Sequence, residues 1–303
     1  MAEVAGFLNL CKPLGWTSHD VVQLVRRRLR MQRVGHAGTL DPAASGVLPV
    51  CLGRATRLAE RVAAGSKLYV ADAVLGVATD THDAEGRVTA TAPPAPLTLD
   101  AVVRALAAFV GTFEQRPPAF SALKVGGEPS YARARRGQEV QLAPRRVTVY
   151  GLALLAWQPP RVSFALRCSK GTYVRALVRD LGEALGCGAY LDGLVRWQVG
   201  PFTLAEAVSI EQFEEAVARG TWPALLWPPD QVLLDLPAVV VGAAKARYLA
   251  HGRAWAATGR ARGEARAYAV DGRFLGVLRA HERAHQWQPV LSFVYDPGDT
   301  GDS

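Results

Sequence analysis

The sequence predicts an α+β protein: a large mixed, mainly antiparallel sheet flanked by helices, with a small β-barrel module after it. Three observations predict this class. Helical patterns over 17–30, 98–110 and 172–185 occur together with strand patterns over 68–77 and 162–168, proline density rises over 221–230, and short apolar runs broken by glycine fill 232–295. We therefore expect two domains, 1–228 and 229–303, with a short disordered tail ending the second.

The first elements follow from capping and periodicity. Residues 17–30 predict a helix, because Thr17 and Asp20 have the spacing of a capping box and apolar residues recur at i, i+3 and i+7. The apolar run 68–77 predicts a strand. Residues 98–110 predict a second helix, closed by the glycine that follows.

A strand and a helix are predicted in direct succession further along the chain. Residues 162–168 alternate as a half-buried strand does, and 172–185 show helical periodicity. Tyr173 and Arg175 would then lie in the first helical turn. Side chains at such junctions often point into functional sites.

The stretch 115–146 interrupts this regularity. It carries seven Lys or Arg against two Glu, with Phe120 and Tyr131 interleaved and Gly and Pro recurring. Basic residues mixed with aromatics favour a mobile RNA-gripping segment. A solvated surface loop is the alternative.

Charge and cysteine usage restrict the class of protein. The formal net charge is +8 and the pI is about 9.6, which favours an acidic partner, nucleic acid first and an anionic membrane second. The four cysteines are far apart, which fits neither a disulfide framework nor a zinc knuckle. No signal peptide or membrane span is predicted. We expect a cytoplasmic protein with no membrane role.

Two stretches imitate metal sites. HERAH at 281–285 matches the zinc-protease pattern H-E-x-x-H, but the flanking residues do not predict a helix. Thr79 to Asp83 reads TDTHD, which we interpret as a polar turn leading into a strand. A zinc hydrolase stays an alternative that stoichiometric zinc in the purified protein would support. No phosphate-binding or dinucleotide fingerprint predicts a cofactor.

The stretch 35–58, GHAGTLDPAASGVLPVCLGRATRL, surrounds a lone carboxylate, Asp41. Pro42 disfavours a helix at Asp41, Gly35 and Gly38 permit close approach or positive φ, and the small residues after Pro42 leave room for a flat ligand. Asp41 is therefore either a structural Asp-Pro turn or a reacting group kept ionised by a cation. Arg175 is the best candidate for that cation.

At this point five ordered segments resemble the TruB family of tRNA pseudouridine synthases. Besides residues 35–58, they are LNLCKPLGWTSHDVV, KLYVADAVLGVATDTHDAEG, PPAFSALKVGGEPSYARARRG and CSKGTYVRALVRDLGEALGCGAYLDGLVR. The resemblance implies the pseudouridine synthase fold and a PUA-like RNA-binding module. It also implies isomerisation of uridine 55 in the tRNA T loop, with the T-arm as partner, a monomeric enzyme, and no cofactor or metal.

The resemblance assigns roles to individual residues. Asp41 would be the catalytic aspartate, attacking either the ribose or the base. Arg175 would hold it charged and aimed. Tyr69 would stack on the target uracil, with removal of a carbon-bound proton as a second role. His36 would fill the space that the flipped uridine leaves.

Other positions are supporting or divergent. Tyr173 and Leu194 would line the uracil pocket, and Lys12 and Pro13 would support the active-site loop. Val195 stands where the family usually has an arginine, so one phosphate contact is in doubt although Arg196 remains. A non-catalytic RNA-binding or RNA-folding protein of the same architecture is the competing hypothesis.

Overall fold

The computed structural model describes residues 4–92, 97–120, 142–257 and 261–294, together with 124–125, 128–130, 133, 136 and 138. Much of the predicted RNA-gripping segment, Tyr131 included, and the predicted tail lie outside these residues.

The helices and strands follow one another along the chain in irregular order. The α-helices are α1 (Ser18–Leu29), α2 (Ala59–Ala64), α3 (Leu99–Ala107), α4 (Val174–Ala184), α5 (Ile210–Ala218) and α6 (Ala243–Ala250). The strands of the first 168 residues are β1 (Gly6–Lys12), β2 (Val34–His36), β3 (Ala44–Leu52), β4 (Lys67–Leu75), β5 (Val77–Thr79), β6 (Val88–Thr91), β7 (Gly111–Gln115), β8 (Lys124–Val125), β9 (Glu128–Pro129), β10 (Arg145–Gln158) and β11 (Arg161–Cys168). The later strands are β12 (Ala189–Val199), β13 (Phe202–Thr203), β14 (Leu226–Trp227), β15 (Ala238–Val241), β16 (Trp255–Ala256), β17 (Glu264–Ala269), β18 (Phe274–His281) and β19 (Gln286–Ser292).

A mixed, mainly antiparallel sheet forms the centre of the molecule and confirms the predicted class. Its order is β14-β1-β3-β12-β4-β11-β10-β7, with β2 added to β3 and β13 to β12. The pairing of β12 with β3 is parallel, and the other pairs of this sheet are antiparallel. This parallel pair joins residues about 150 positions apart, because Leu194 lies opposite Ala44.

Close approach at the parallel pair requires a glycine. Gly46 has φ of +108°, and a Cβ added there would lie 2.3 Å from the carbonyl oxygen of Arg196. No larger side chain fits without moving one of the two strands. Gly46 therefore lets β12 lie against the start of β3, directly after Asp41.

Helix α1 forms as predicted from its cap. Thr17 is the N-cap, its hydroxyl accepts a hydrogen bond from the Asp20 amide, and the Asp20 carboxylate accepts one from the Thr17 amide. The buried face of α1 packs on the face of β1 and β3 that carries Leu8, Leu48 and Val50. This packing fixes the start of α1 near the loop that precedes β3.

Helices α3 and α4 differ from prediction at their ends. The helix predicted over 98–110 ends at Ala107, and Gly111, with φ of +122°, begins β7 instead of closing the helix. Tyr173 is the N-cap of α4, not part of its first turn, and Arg175 follows as the second helical residue. Apolar residues of α4 pack against β4 and β11, which brings the start of α4 to the centre of the sheet.

The C-terminal residues form a second sheet of order β15-β17-β18-β19-β16, which curls into a half-barrel. Helix α6 was not predicted; its buried Leu249 packs into the core of this sheet. Arg61 of α2 pairs with Glu264 of β17 at 2.7 Å, and Arg54, which precedes α2, donates to the Val294 carbonyl, so the segment after β3 contacts the C-terminal residues. The boundary between 228 and 229 stays a prediction.

The HERAH stretch forms a turn, not a helix. His281 ends β18, residues 282–284 make one 3-10 turn, and β19 begins at Gln286. Nor does any helix in the described ranges have the length and apolar character needed to cross a membrane.

Candidate active site

Asp41 lies in the loop between β2 and β3, and its carboxylate reaches a buried arginine. The Oδ2 atom of Asp41 is 2.8 Å from Nη2 of Arg175, with 48% of the Asp41 side chain exposed against 8% for Arg175. The guanidinium is therefore fixed in the protein while the carboxylate keeps a face toward solvent.

Arg175 also binds a second carboxylate and two carbonyls. Its Nη1 lies 3.3 Å from the Asp83 carboxylate and donates to the Thr81 carbonyl, while Nη2 donates to the Phe120 carbonyl at 2.8 Å. The guanidinium thus bridges Asp41 and Asp83 with its plane held from several sides. Each carboxylate contacts one nitrogen of the guanidinium, and charge-assisted contacts of this kind are stronger than neutral hydrogen bonds.

Asp83 was missed by the sequence analysis, which interpreted TDTHD as a polar turn. The stretch does form the loop of the β5–β6 hairpin, but it turns Asp83 inward. The Asp83 carboxylate accepts hydrogen bonds from the Thr81 hydroxyl and the Glu85 amide, and the Ala84 amide donates to Leu191 of β12. No local pattern predicts this docking, because it depends on a strand that follows about 100 residues later.

A groove of about 570 Å³ opens beside Asp41 and Arg175. Tyr69, Tyr173 and Leu194 line it, so the structure brings these predicted residues together with the ion pair. Tyr69 is buried at the middle of the sheet, and burial raises the pKa of its hydroxyl, with Arg196 opposing the shift. The groove walls also include four further basic residues: Lys67, Arg145, Arg146 and Lys170.

Gln115, which the sequence analysis did not single out, holds the backbone of Tyr173. Its Oε1 accepts from the Tyr173 amide at 2.8 Å, and its Nε2 donates to the Tyr173 carbonyl at 3.1 Å. Gln115 is buried at the end of β7. The pair of bonds fixes the start of α4, and with it Arg175.

Lys12 and Pro13 lie beneath the Asp41 loop. The buried Lys12 ammonium donates to the carbonyls of Pro13 and Trp16 at 2.9 and 2.6 Å. Burial lowers its pKa to about 8, an effect that Asp41 partly opposes. The amide of Gly15 donates to the Pro42 carbonyl at 2.9 Å, which ties this segment to the loop.

His36 is not brought together with the groove residues. It lies on β2 opposite Val50 and is absent from the groove lining. Its Nδ1 is buried without a hydrogen-bond partner in the part of the chain that the structure describes, and burial lowers its pKa. The ring is therefore neutral at pH 7.

The structure corrects two expectations about phosphate contacts. Leu194 and Arg196 border the groove, so Val195 between them points to the other face of the sheet, and an arginine there would not reach the groove. Arg196 is 1% exposed and donates to backbone carbonyls, which leaves it no surface for a phosphate.

The glycines and small residues around Asp41 act differently from prediction. Gly38 has φ of +113°, as expected, but Gly35 is an ordinary strand residue. Ala43 and Ala44 border a cavity of about 20 Å³, whereas the larger space lies toward Tyr69 and Tyr173. In the described ranges no cluster of three or more His, Cys, Asp or Glu could hold a metal ion.

Residues 26–174, which contain Asp41 and much of the groove, match a pseudouridylate synthase domain model, so the class of the protein is that of the pseudouridine synthases. A solved structure of a Cbf5-Nop10-Gar1 complex contains a chain that is 26% identical, with a TM-score of 0.70, covering 96% of this chain and 84% of that one.

The family follows from the sequence comparisons. The model of the TruB family pseudouridylate synthase N-terminal domain matches residues 26–174, and that of the tRNA pseudouridylate synthase B C-terminal domain matches 175–236. The tRNA pseudouridine synthase B of Symbiobacterium thermophilum is 50% identical over 83% of each chain. That of Syntrophotalea carbinolica is 44% identical, over 82% of this chain and 80% of its own. The chain belongs to the TruB family.

Proposed function

We infer that the protein is a tRNA pseudouridine synthase that isomerises uridine 55 of the T loop. The observation that carries this inference is the Asp41–Arg175 pair at 2.8 Å, half open to a basic groove, in a chain of the TruB family. Relatives of this chain are named tRNA pseudouridine synthase B.

The target base must leave the folded T loop before it can react, at a cost of a few kcal/mol. Tyr69 stacks on the extruded uracil, a contact worth roughly 1–3 kcal/mol. Tyr173 and Leu194 complete the pocket. His36 fills the space that the flipped nucleotide leaves in the loop, from beside the groove.

The chemistry depends on the Asp41 carboxylate. Asp41 acts as the nucleophile, on the ribose or on the base, and Arg175 keeps it ionised and aimed. The N-glycosidic bond breaks, the uracil rotates, and a ring carbon bonds to the ribose. The carbon-bound proton leaves and a ring nitrogen gains one, so substrate and product have the same composition. Tyr69 assists that proton transfer.

The groove and the C-terminal sheet together hold the RNA. Arg145, Arg146 and Lys170 supply positive charge along the groove, so binding weakens as salt rises; the Lys67 ammonium is buried and donates to the Ala63 and Gly65 carbonyls. The segment 115–146 grips the T-arm, and the half-barrel acts as a PUA-like RNA-binding domain over 229–303. The enzyme works as a monomer in the cytoplasm.

Mapping of modified nucleotides in an unmodified tRNA treated with the pure protein tests this function. Wild type should form pseudouridine at position 55, and Asp41→Ala should form none while still binding the tRNA. Asp72→Ala is a matched control. Asp72 is exposed on β4, and its side chain points to the face of the sheet opposite to that of the neighbouring buried Ala71. Binding by wild type without modification would establish the non-catalytic alternative.

A further inference from the structure

The loop that carries Asp41 has no regular secondary structure between the end of β2 at His36 and the start of β3 at Ala44. The backbone polar groups of such a loop need partners from elsewhere in the chain. Two buried side chains, from opposite ends of the catalytic region of the sequence, supply them for residues 38–40.

Ser18 binds both backbone groups of Leu40, the residue before Asp41. The Ser18 Oγ accepts from the Leu40 amide at 2.8 Å and donates to the Leu40 carbonyl at 3.1 Å. A hydroxyl has one donor and two acceptor positions, so it can satisfy both groups at once. Ser18 is 3% exposed and begins α1, a helix already fixed by its own capping residues.

Arg196 binds the two residues before Leu40. Its Nη2 donates to the Gly38 carbonyl and its Nη1 to the Thr39 carbonyl, both at 3.1 Å, and its Nε donates to the Val47 carbonyl at 2.8 Å. Among the residues that the structure describes, no carboxylate lies within ion-pair distance of this guanidinium. A buried cation without a carboxylate is expensive to desolvate, so its hydrogen bonds to the backbone are what stabilise it here.

We propose that Ser18 and Arg196 are positioning residues for the reaction, which fix the backbone of residues 38–40 and thereby the direction of the Asp41 carboxylate. This inference rests on the proposed function. The ion pair to Arg175 restrains the carboxylate end of the Asp41 side chain. The backbone from which that side chain extends is restrained by the contacts of Ser18 with Leu40, here called the first clasp, and of Arg196 with Gly38 and Thr39, the second clasp. Both clasps should act on the chemical step and not on RNA binding, because Ser18 does not border the groove, and Arg196, which borders it beside Tyr69, already donates from every guanidinium nitrogen to a carbonyl.

Ser18→Ala tests the first clasp, the contact with Leu40, and Ser209→Ala is the matched control. Ser209 is the N-cap of α5, and its hydroxyl accepts from the Gln212 amide of that helix. Under saturating enzyme, Ser18→Ala should lower the single-turnover rate by about tenfold or more with an unchanged Kd for tRNA, because small misplacements of reacting groups have large effects on rate. Ser209→Ala should lower Tm and leave the rate unchanged.

Arg196→Lys and Arg196→Met test the second clasp. A lysine keeps the charge but cannot reach three carbonyls from one nitrogen, so both variants should lose rate to a similar extent. Full activity of Ser18→Ala, equal losses of rate in Ser18→Ala and Ser209→Ala, or full activity of Arg196→Lys would each overturn the proposal. Absence of pseudouridine with wild type would instead refute the proposed function.

Discussion

Replacing Arg175 by lysine removes the geometry of the central ion pair while keeping its charge. In the native site Nη2 serves the Asp41 carboxylate and the Phe120 carbonyl, while Nη1 serves Asp83 and the Thr81 carbonyl. The lysine side chain ends in one nitrogen, which cannot occupy both places. The lysine nitrogen can therefore contact either Asp41 and the Phe120 carbonyl or Asp83 and the Thr81 carbonyl, but not both groups.

The size of the effect follows from these contacts. Hydrogen bonds to charged groups are worth about 1.5–3 kcal/mol each. If the lysine contacts the more buried Asp83 and no longer contacts Asp41, the Asp41 carboxylate loses one charge-assisted hydrogen bond. The barrier to reaction should then rise by the free energy of that bond. At about 1.36 kcal/mol per factor of ten, the rate should fall by roughly 10- to 150-fold.

The assay is single-turnover pseudouridine formation on unmodified tRNA at saturating enzyme, with Kd measured in parallel. We expect a large loss of rate and little change in Kd, because Arg175 is buried and its side chain is committed to protein acceptors. Arg219→Lys is the control, since Arg219 pairs with Glu215 on an exposed helix. A rate near that of wild type for Arg175→Lys would refute the claim that fork-shaped contacts aim Asp41.

Two further predictions follow from buried groups around the same loop. Asp83→Asn keeps the shape of the side chain but removes the charge that shares Arg175; the rate should fall by about tenfold, corresponding to about 1.4 kcal/mol, while Asp80→Asn in the same hairpin loop changes nothing. An unchanged rate for Asp83→Asn would show that one carboxylate suffices. Lys12 has a pKa lowered by burial to about 8 from 10.5, so the unfolded chain binds more protons between these values. In urea titrations the free energy of unfolding of wild type relative to Lys12→Met should therefore rise from pH 8 to 10.5 and stay constant below pH 8, and a flat difference would contradict the buried-ammonium interpretation.

Elements with local signals were predictable from the sequence. The cap formed by Thr17 and Asp20 fixes the start of α1, and the strand predicted over 162–168 is β11. The family resemblance predicted that Asp41 and Arg175 form a pair. Residue spacing alone left a structural turn at Asp41 as an equal alternative. The distance between them depends on α4 packing against β4 and β11, which no local pattern encodes.

Groups that act through long-range contacts were missed. Asp83 had the composition of a turn, and its inward direction comes from the docking of its loop on β12. Gln115 acts through the backbone of Tyr173, 58 residues later. Arg196 was expected at the RNA surface, since sequence composition cannot distinguish a buried guanidinium from an exposed one.

The parallel pairing of β12 with β3 has a consequence for biosynthesis. Asp41 lies just before β3, but the arginine that holds its loop belongs to β12, residues 189–199, and is therefore synthesised about 150 residues later. Contacts of such high sequence separation form late and slowly. A nascent polypeptide that ends before β12 can form α1 and the early strand pairs, but it lacks the Arg196 contacts that hold the loop of Asp41. The active site is thus completed in one late step, when β12 pairs with β3 and β4.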